Sequence, residues 1–162
     1  RVSCLASNPS PIFRTVHGLF GPSISSILSQ IAAFLSEYPK ELVIIDFNHH
    51  YGCAHFSTQL EYQILASLNG SKAIPYKGTP ANLSLKAVSA GSWNVLLLQS
   101  WSTNTSPFFW PQSTIESPWP NYDEIAGVLS YNEAYAKRRL KKGSSSFYVS
   151  QEIVTPNAVD IA

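Results

Sequence analysis

Side chains that hydrogen-bond or transfer protons follow four apolar stretches of this sequence, each at the point where the stretch ends. They are His17-Gly18, Asn48-His49-His50, Gln99-Ser100 and Ser150-Gln151-Glu152. One polar strand end needs no special explanation, because the chain there meets water. Four such ends, with a histidine at the first, favour a site for a polar ligand, since imidazoles move protons while amides and hydroxyls hydrogen-bond.

The adjacent histidines His49 and His50 invite a metal hypothesis, which the geometry of an extended chain argues against. Neighbouring side chains in a strand point to opposite faces, so the pair is poorly arranged to hold one ion, and no metal site is predicted. Asp46 precedes them inside the apolar run, where a buried carboxylate needs a partner. Arg14 or a residue outside this sequence is the expected partner.

Apolar periodicity predicts the elements that must position these groups. The predicted strands are 12–16, 42–47, 93–101 and 145–156, and the predicted helices are 22–38, 57–68 and 122–140. Gly18 and Gly21 are expected to form a turn, Pro22 to occupy the first helical position, and Asn69-Gly70 and Gly143 to end helices. The segment 106–123 is too rich in proline for regular structure, and the run 42–45 is typical of a strand buried on both faces.

Strands alternating with helices over short connections predict an α/β fold with a parallel sheet and helices outside it. A doubly wound sheet would show a glycine-rich phosphate loop after an early strand, and none is present. A (β/α)8 barrel needs about 250 residues. The 162 residues therefore predict a partial TIM-type barrel, with the polar strand ends on its working face.

Composition excludes several classes of protein. With 44% hydrophobic and 13% charged residues the chain is expected to fold, and a net charge of +1 gives no global attraction to nucleic acid. No apolar run reaches the length of about 20 residues that a membrane-spanning helix needs. The sequence lacks methionine and opens without a leader, so we expect a fragment or processed piece, incomplete at both ends.

Two features bear on the compartment. Cys4 and Cys53 match no metal-binding spacing, so buried or free thiols are expected, with one disulfide as the alternative in a secreted protein. N-glycosylation sequons begin at Asn69, Asn82 and Asn104. A cytoplasmic or membrane-peripheral location is expected, with secretion as the alternative.

A basic run, KRRLKK at 137–142, falls at the end of a predicted helix, where cations interact favourably with the last turn. A solvated helix end is the expected role, and contact with anionic lipid headgroups is the alternative. Five aromatic residues upstream would be interfacial anchors in that alternative, and otherwise would close a loop over the core. They are Phe108, Phe109, Trp110, Trp119 and Tyr122.

Four stretches together resemble the phosphatidylinositol-specific phospholipase C X-domain-containing proteins. They are TVHGLFG (15–21), FLSEYPKELVIIDFNHHYG (34–52), FFWPQSTIESPW (108–119) and YVSQEIVTP (148–156). The resemblance runs in order through nearly the whole chain. It implies that residues 1–162 are part of one such domain, an incomplete TIM-type barrel.

The resemblance also implies roles for residues. In that family one histidine is the general base on the inositol 2-hydroxyl, and a second protonates the departing diacylglycerol oxygen. His17 stands at the second position, and the first is expected before residue 1. Arg1 resembles an arginine that neutralises charge on the phosphate. Asn48 stands where calcium-dependent relatives carry a carboxylate, so the sequence resembles the metal-independent branch and no cofactor is expected.

The predicted function is therefore a phosphoric diester hydrolase that cleaves phosphatidylinositol, or a related phospholipid, at a membrane surface. Its catalytic residues would be His17 and Arg1, and the substrate-binding residues would be Asn48, His49, Gln99, Ser100 and Gln151. His50 is expected to turn toward packing. One alternative is a non-catalytic lipid- or inositol-phosphate-binding module. Another is a glycerophosphodiester-type enzyme, which would need metal-binding carboxylates where only Glu152 lies near a strand end.

Overall fold

The computed structural model describes residues 1–5, 11–68, 72–101 and 106–156. Its contacts divide the chain into two compact units. The first holds the described residues of Arg1–Gly78 and Asn82–Gln112, and the second holds those of Thr79–Ala81 and Ser113–Ala162. The sequons at Asn69 and Asn104, and the predicted helix stop at Asn69-Gly70, lie outside the described residues.

Strands and helices alternate in part, as predicted. In chain order they are β1 Val2–Leu5, β2 Ile12–His17, β3 Leu19–Ser23, α1 Ile24–Glu37, β4 Val43–Phe47, β5 His50–Tyr51, α2 Ser57–Leu68, α3 Leu85–Ala90, β6 Val95–Gln99, β7 Phe109–Pro111, β8 Ile115–Glu116, α4 Ile125–Lys142 and β9 Phe147–Tyr148. The described strands form three sheets, ordered β3-β2-β1-β5, β4-β6-β7 and β8-β9, and these do not close into a barrel.

The three-stranded sheet of the first unit is parallel, as predicted, with β6 at its centre. Every residue of β6 is buried, and each fully buried leucine contributes about 1.5–3 kcal/mol. The prediction that the 42–45 run is buried on both faces is wrong, because Ile44 is 46% exposed. Alternate residues of β4, Val43, Ile45 and Phe47, pack on the core, whereas Ile44 lies on the opposite face.

The four-stranded sheet contradicts the prediction of parallel strands throughout. β2 runs antiparallel to both β1 and β3, and only the pair β1–β5 is parallel. The predicted turn at Gly18 is confirmed, since its φ of 76° closes the hairpin between His17 and Leu19.

A bulge in β3 replaces the predicted turn at Gly21 and the predicted helix start at Pro22. Gly21 and Pro22 both lie opposite Thr15 of β2. A Cβ atom on Gly21 would stand 2.4 Å from the Thr15 hydroxyl oxygen, so this strand position requires glycine. Helix α1 instead begins after Ser23, whose hydroxyl accepts a hydrogen bond from the Ser26 backbone N–H at 3.2 Å.

The first two long helices bury apolar side chains against the core. Helix α2 has the predicted bounds, and α1 packs against it beside the core. Within α1, Ile24, Leu28 and Leu35 are buried, whereas Phe34 is 43% exposed. No described helix is both long and apolar enough to span a membrane.

The two cysteines form a disulfide between β1 and the turn after β5, so the expectation of unpaired thiols is wrong. Cys53 is 2% exposed within the hydrophobic core, and Cys4 packs against the same core. The two residues are separated by 49 positions in the sequence, and sequence spacing alone carries no sign that they meet.

The second unit joins helix α4 to the parallel pair β8–β9. The Glu116 carboxylate of β8 accepts hydrogen bonds from Tyr135, Ser144 and Ser146 and pairs with Arg139. These donors hold the pKa of Glu116 far below its usual range, with the Ser146 hydroxyl as the largest cause. The helix ends at Gly143 as predicted, with a left-handed φ of 66°.

Two predictions for the later part of the chain are wrong. The proline-rich segment 106–123 is not irregular, because it contains β7 and β8. Phe109 and Trp110 of β7 are fully buried, as expected for aromatics that close over the core, whereas Trp119 and Tyr122 are each 46% exposed. The predicted strand 145–156 is regular only at Phe147–Tyr148.

Candidate functional site

The parallel register of β4 and β6 places their ends side by side. Phe47 lies opposite Gln99, and Gln99 lies opposite Pro111 of β7. Asn48 and Ser100, the next residues along their strands, therefore leave the sheet at the same edge. This edge is the carboxyl end of the strands, where open α/β sheets bind ligands.

Asn48 and His49 interact with each other at this edge. His49 Nδ1 lies 3.1 Å from Asn48 Oδ1, and the imidazole is exposed. Because the amide oxygen can only accept, Nδ1 carries the hydrogen in this contact. The Nε2 atom on the other side of the ring is then available to a ligand hydroxyl.

His50 turns toward packing, as predicted. Its ring meets the Trp101 ring edge-on at 5.8 Å between centroids, and its Nδ1 lies 3.4 Å from Ser100 Oγ. The Trp101 indole N–H donates to the buried Glu61 carboxylate at 2.9 Å. His50 is therefore packed against the core at this end of the sheet.

Backbone hydrogen bonds place Arg1 between the His49 segment and the end of β2. The Val2 N–H donates to the His49 carbonyl at 2.9 Å, and the Val16 N–H donates to the Arg1 carbonyl at 3.2 Å. His17 is the next residue after Val16 and is exposed. Arg1 and the end of β2 thus lie beside the strand exits, within the first unit.

Arg1, Thr15 and Asp46 line one cavity of about 150 Å³ together with residues of α1. Burial raises the pKa of Asp46, and the charge of the nearby His49 ring offsets part of that rise. The Asp46 Oδ1 atom is buried and lacks a hydrogen-bond partner among the described residues. The ion pairs of the described residues do not join Arg14 to Asp46, and the Arg14 guanidinium donates to the Gly21 carbonyl at 3.0 Å.

Gln99 is 3% exposed, and neither its amide oxygen nor its amide nitrogen has a hydrogen-bond partner among the described residues. An unsatisfied buried amide costs about 1–3 kcal/mol, so a hydrogen-bonding group brought to this residue would recover free energy. Ser100, the next residue, is half-buried.

Gln151 lies in the second unit. Its side-chain nitrogen donates to Ser117 Oγ at 2.8 Å, and its backbone carbonyl accepts from Asn132 at 3.0 Å. Nearby, Ser150 Oγ donates to Glu152 at 3.2 Å. The side-chain oxygen of Gln151 is left for other contacts.

The edge of the first unit joins one guanidinium with imidazole, amide and hydroxyl groups, a set that suits an anionic ligand rich in hydroxyls. Within the described ranges, no three His, Cys, Asp or Glu side chains are grouped to hold a metal ion. Sequence reasoning missed Thr15 and the proximity of Asp46 to Arg1. The available signal in the sequence was Asp46, a carboxylate inside an apolar strand that needs a partner.

Known proteins resemble the chain over nearly its whole length. It is 33% identical over 159 residues to PI-PLC X domain-containing protein 3 of Bos taurus, covering 98% of this chain and 49% of that protein. It is 32% identical to the Homo sapiens protein 3 with the same coverage, and 29% identical over 163 residues to the Homo sapiens PI-PLC X domain-containing protein 2.

The chain is a homologue of the PI-PLC X domain-containing proteins. The predicted resemblance is confirmed. This homologue spans about half the length of the curated relatives it matches. No protein-family model and no solved structure matches it.

Proposed function

We propose that the complete protein is a phosphoric diester hydrolase that cleaves phosphatidylinositol to diacylglycerol and an inositol phosphate without a metal ion. The observation that carries the proposal is the similarity, over nearly all of this chain, to proteins named for the PI-PLC X domain. We further propose that residues 1–162 are part of a single domain, and that its missing strands complete a TIM-type barrel.

His17 is the general acid in this proposal, and protonates the diacylglycerol oxygen as its bond to phosphorus breaks. The ring is exposed beside the Gly18 turn, so a lipid phosphate can approach it without rearrangement of the core. A general acid contributes about 10²–10⁴ in rate. The base that deprotonates the attacking inositol hydroxyl is expected upstream of residue 1.

Arg1 neutralises the phosphate in the transition state, because a guanidinium offers a fixed fork of donors to phosphoryl oxygens. Arg1 also lines the cavity that contains Asp46. Asn48, His49 and Ser100 offer hydrogen bonds to inositol hydroxyls from the strand exits. Gln99 completes the proposed substrate-binding set of the first unit, and a role for Gln151, which lies in the second unit, stays a prediction.

The test is turnover of the full-length protein on phosphatidylinositol vesicles, measured as released inositol phosphate with and without a chelator. His17→Ala should lower kcat steeply while the chelator changes nothing. His55→Ala is the matched control, because His55 is also an exposed histidine and lies before α2, away from the strand exits. Equal losses in both variants, or near-normal turnover of His17→Ala, would remove His17 from the mechanism.

A non-catalytic binding module is the second candidate, and one observation favours it. The strand exits carry neutral amides and hydroxyls at Asn48, Gln99 and Ser100, which bind a headgroup without promoting bond cleavage. In that case vesicle binding would depend on Arg1 while no inositol phosphate is released. Release of inositol phosphate by the wild-type protein, measured beside its cosedimentation with the same vesicles, distinguishes the two candidates.

A further inference from the structure

The disulfide between Cys4 and Cys53 uses both cysteines of the sequence, so no free thiol remains. It lies in the core, with Cys53 only 2% exposed. Disulfides of this structural kind form and persist in oxidising compartments and are rare where glutathione keeps thiols reduced. This disulfide therefore indicates that the protein matures in the secretory pathway or in an equivalent oxidising compartment.

An independent feature of the surface points to the same environment. Asn82, Leu83 and Ser84 form an Asn-X-Ser sequon whose middle residue is not proline, and both Asn82 and Ser84 are exposed. Asn82 ends a short 3₁₀ helix, Pro80–Asn82, just before α3. N-glycans occur on such surface segments in proteins that pass through an oxidising compartment.

The local hydrogen bonds are compatible with a glycan on this asparagine. Asn82 Nδ2 donates one hydrogen to the Lys77 carbonyl at 2.9 Å, and an amide nitrogen carries two. A glycosylated amide keeps one hydrogen, so its nitrogen can still donate to the Lys77 carbonyl. The Ser84 hydroxyl caps α3 by accepting from the Ala87 N–H at 3.1 Å, so the same residue serves sequon and fold.

We propose that Asn82 is an N-glycosylation site on a domain that matures in an oxidising compartment. The donor is a lipid-linked oligosaccharide diphosphate. The Asn82 amide nitrogen forms a bond to the anomeric carbon of the sugar, and the bond from that carbon to the diphosphate oxygen breaks. The lipid diphosphate leaves with the electron pair, and the amide nitrogen loses one proton.

The primary test uses full-length protein recovered from the cells that produce it. Treatment with peptide-N-glycosidase in heavy-oxygen water converts a glycosylated asparagine to a labelled aspartate, which peptide mass spectrometry locates. We expect the label at Asn82. An unlabelled, unmodified Asn82 overturns the proposal, whether or not the disulfide is present.

Three variants separate the sequon from the helix cap. Asn82→Gln removes the acceptor and keeps the cap, whereas Ser84→Asp removes the sequon hydroxyl and keeps a capping oxygen. Ser84→Thr keeps both. We expect one glycan fewer in the first two variants and the wild-type pattern in the third. Retention of the glycan in Ser84→Asp, or its loss in Ser84→Thr, contradicts the assignment.

The disulfide gives a second readout of the compartment. Alkylation of freshly lysed cells without a reductant should leave Cys4 and Cys53 unlabelled, and prior reduction should expose both. Full labelling of both thiols without reduction would show that the protein resides in a reducing compartment, where this glycan is not added.

Discussion

Replacing Cys4 and Cys53 together with alanine in the full-length protein should lower its free energy of unfolding by about 4 kcal/mol. The disulfide closes a loop whose ends are 49 positions apart. In the chain-entropy description, a loop of this length restricts the unfolded chain by about 4 kcal/mol at room temperature. The same bond ties β1, which follows Arg1, to the turn after His50, so substrate affinity should fall as well.

Urea denaturation followed by tryptophan fluorescence measures the effect, because Trp101 lies in the same core cluster as Cys53. Wild type and the double variant are each compared with and without a reductant. Under reducing conditions both proteins lack the bond, so their difference reports only the lost sulfur packing. Without reductant the difference in free energy of unfolding also includes the effect of the covalent link, which only the wild type has.

The refuting result is specific. If the difference between the proteins grows by less than about 1 kcal/mol when the reductant is omitted, loop closure does not stabilise this fold as the separation of the cysteines requires.

Three further changes test other contacts. Glu116→Gln should cost about 1–3 kcal/mol in urea denaturation near neutral pH. Because the folded-state pKa of Glu116 is depressed, that loss should shrink as pH falls below the ordinary value of 4.5 and should be gone only below the folded-state pKa. A loss that stays constant in acid would contradict stabilisation of the carboxylate by these donors. Asp46→Asn should stabilise the fold near neutral pH, since burial raises the pKa of Asp46. The folded pKa lies above the ordinary 3.8, so this gain should shrink as pH falls through the folded pKa, and a pH-independent gain would count against it. Trp101→Phe removes the indole donor to the buried Glu61 and should cost about 1.5–3 kcal/mol, whereas an unchanged denaturation midpoint would show that this hydrogen bond contributes nothing net.

Local patterns predicted the elements whose sequence and environment agree. Strand β6 is apolar because every residue is buried, and α2 has one apolar face because only one face packs. Gly143 ends α4 because its left-handed conformation suits a residue without a side chain. In each case the decisive information lies within about one turn or strand of the residue.

Other parts depend on partners distant in sequence. Strand β2 was predicted to be parallel, but it runs antiparallel to both of its neighbours, β1 and β3, because a hydrophobic pattern does not record strand direction. Strand β7 was missed because prolines surround it. Pro111 is tolerated there because β7 is at the edge of its sheet and Pro111 is its last residue.

The candidate site also has parts that local patterns predict and parts that depend on residues distant in sequence. Asn48 and Ser100 were predicted to share one edge because parallel strands end together, and the register confirms that they do. The pKa of Asp46 depends on how far the effect of burial outweighs that of the nearby His49 ring, and only the folded arrangement defines this balance. The roles of His17 and Arg1 in catalysis stay predictions.

The bond between Cys4 and Cys53 gives the chain the covalent topology of a ring with two tails. Helix α1 and strand β4 lie inside the ring, together with an exposed turn at residues 38–41. Trypsin cleavage after Lys40 in that turn opens the ring but releases no peptide, so the nicked protein gains the mass of one water and separates into two pieces only on reduction. The oxidised protein therefore tolerates a backbone break at this turn that would divide its reduced form.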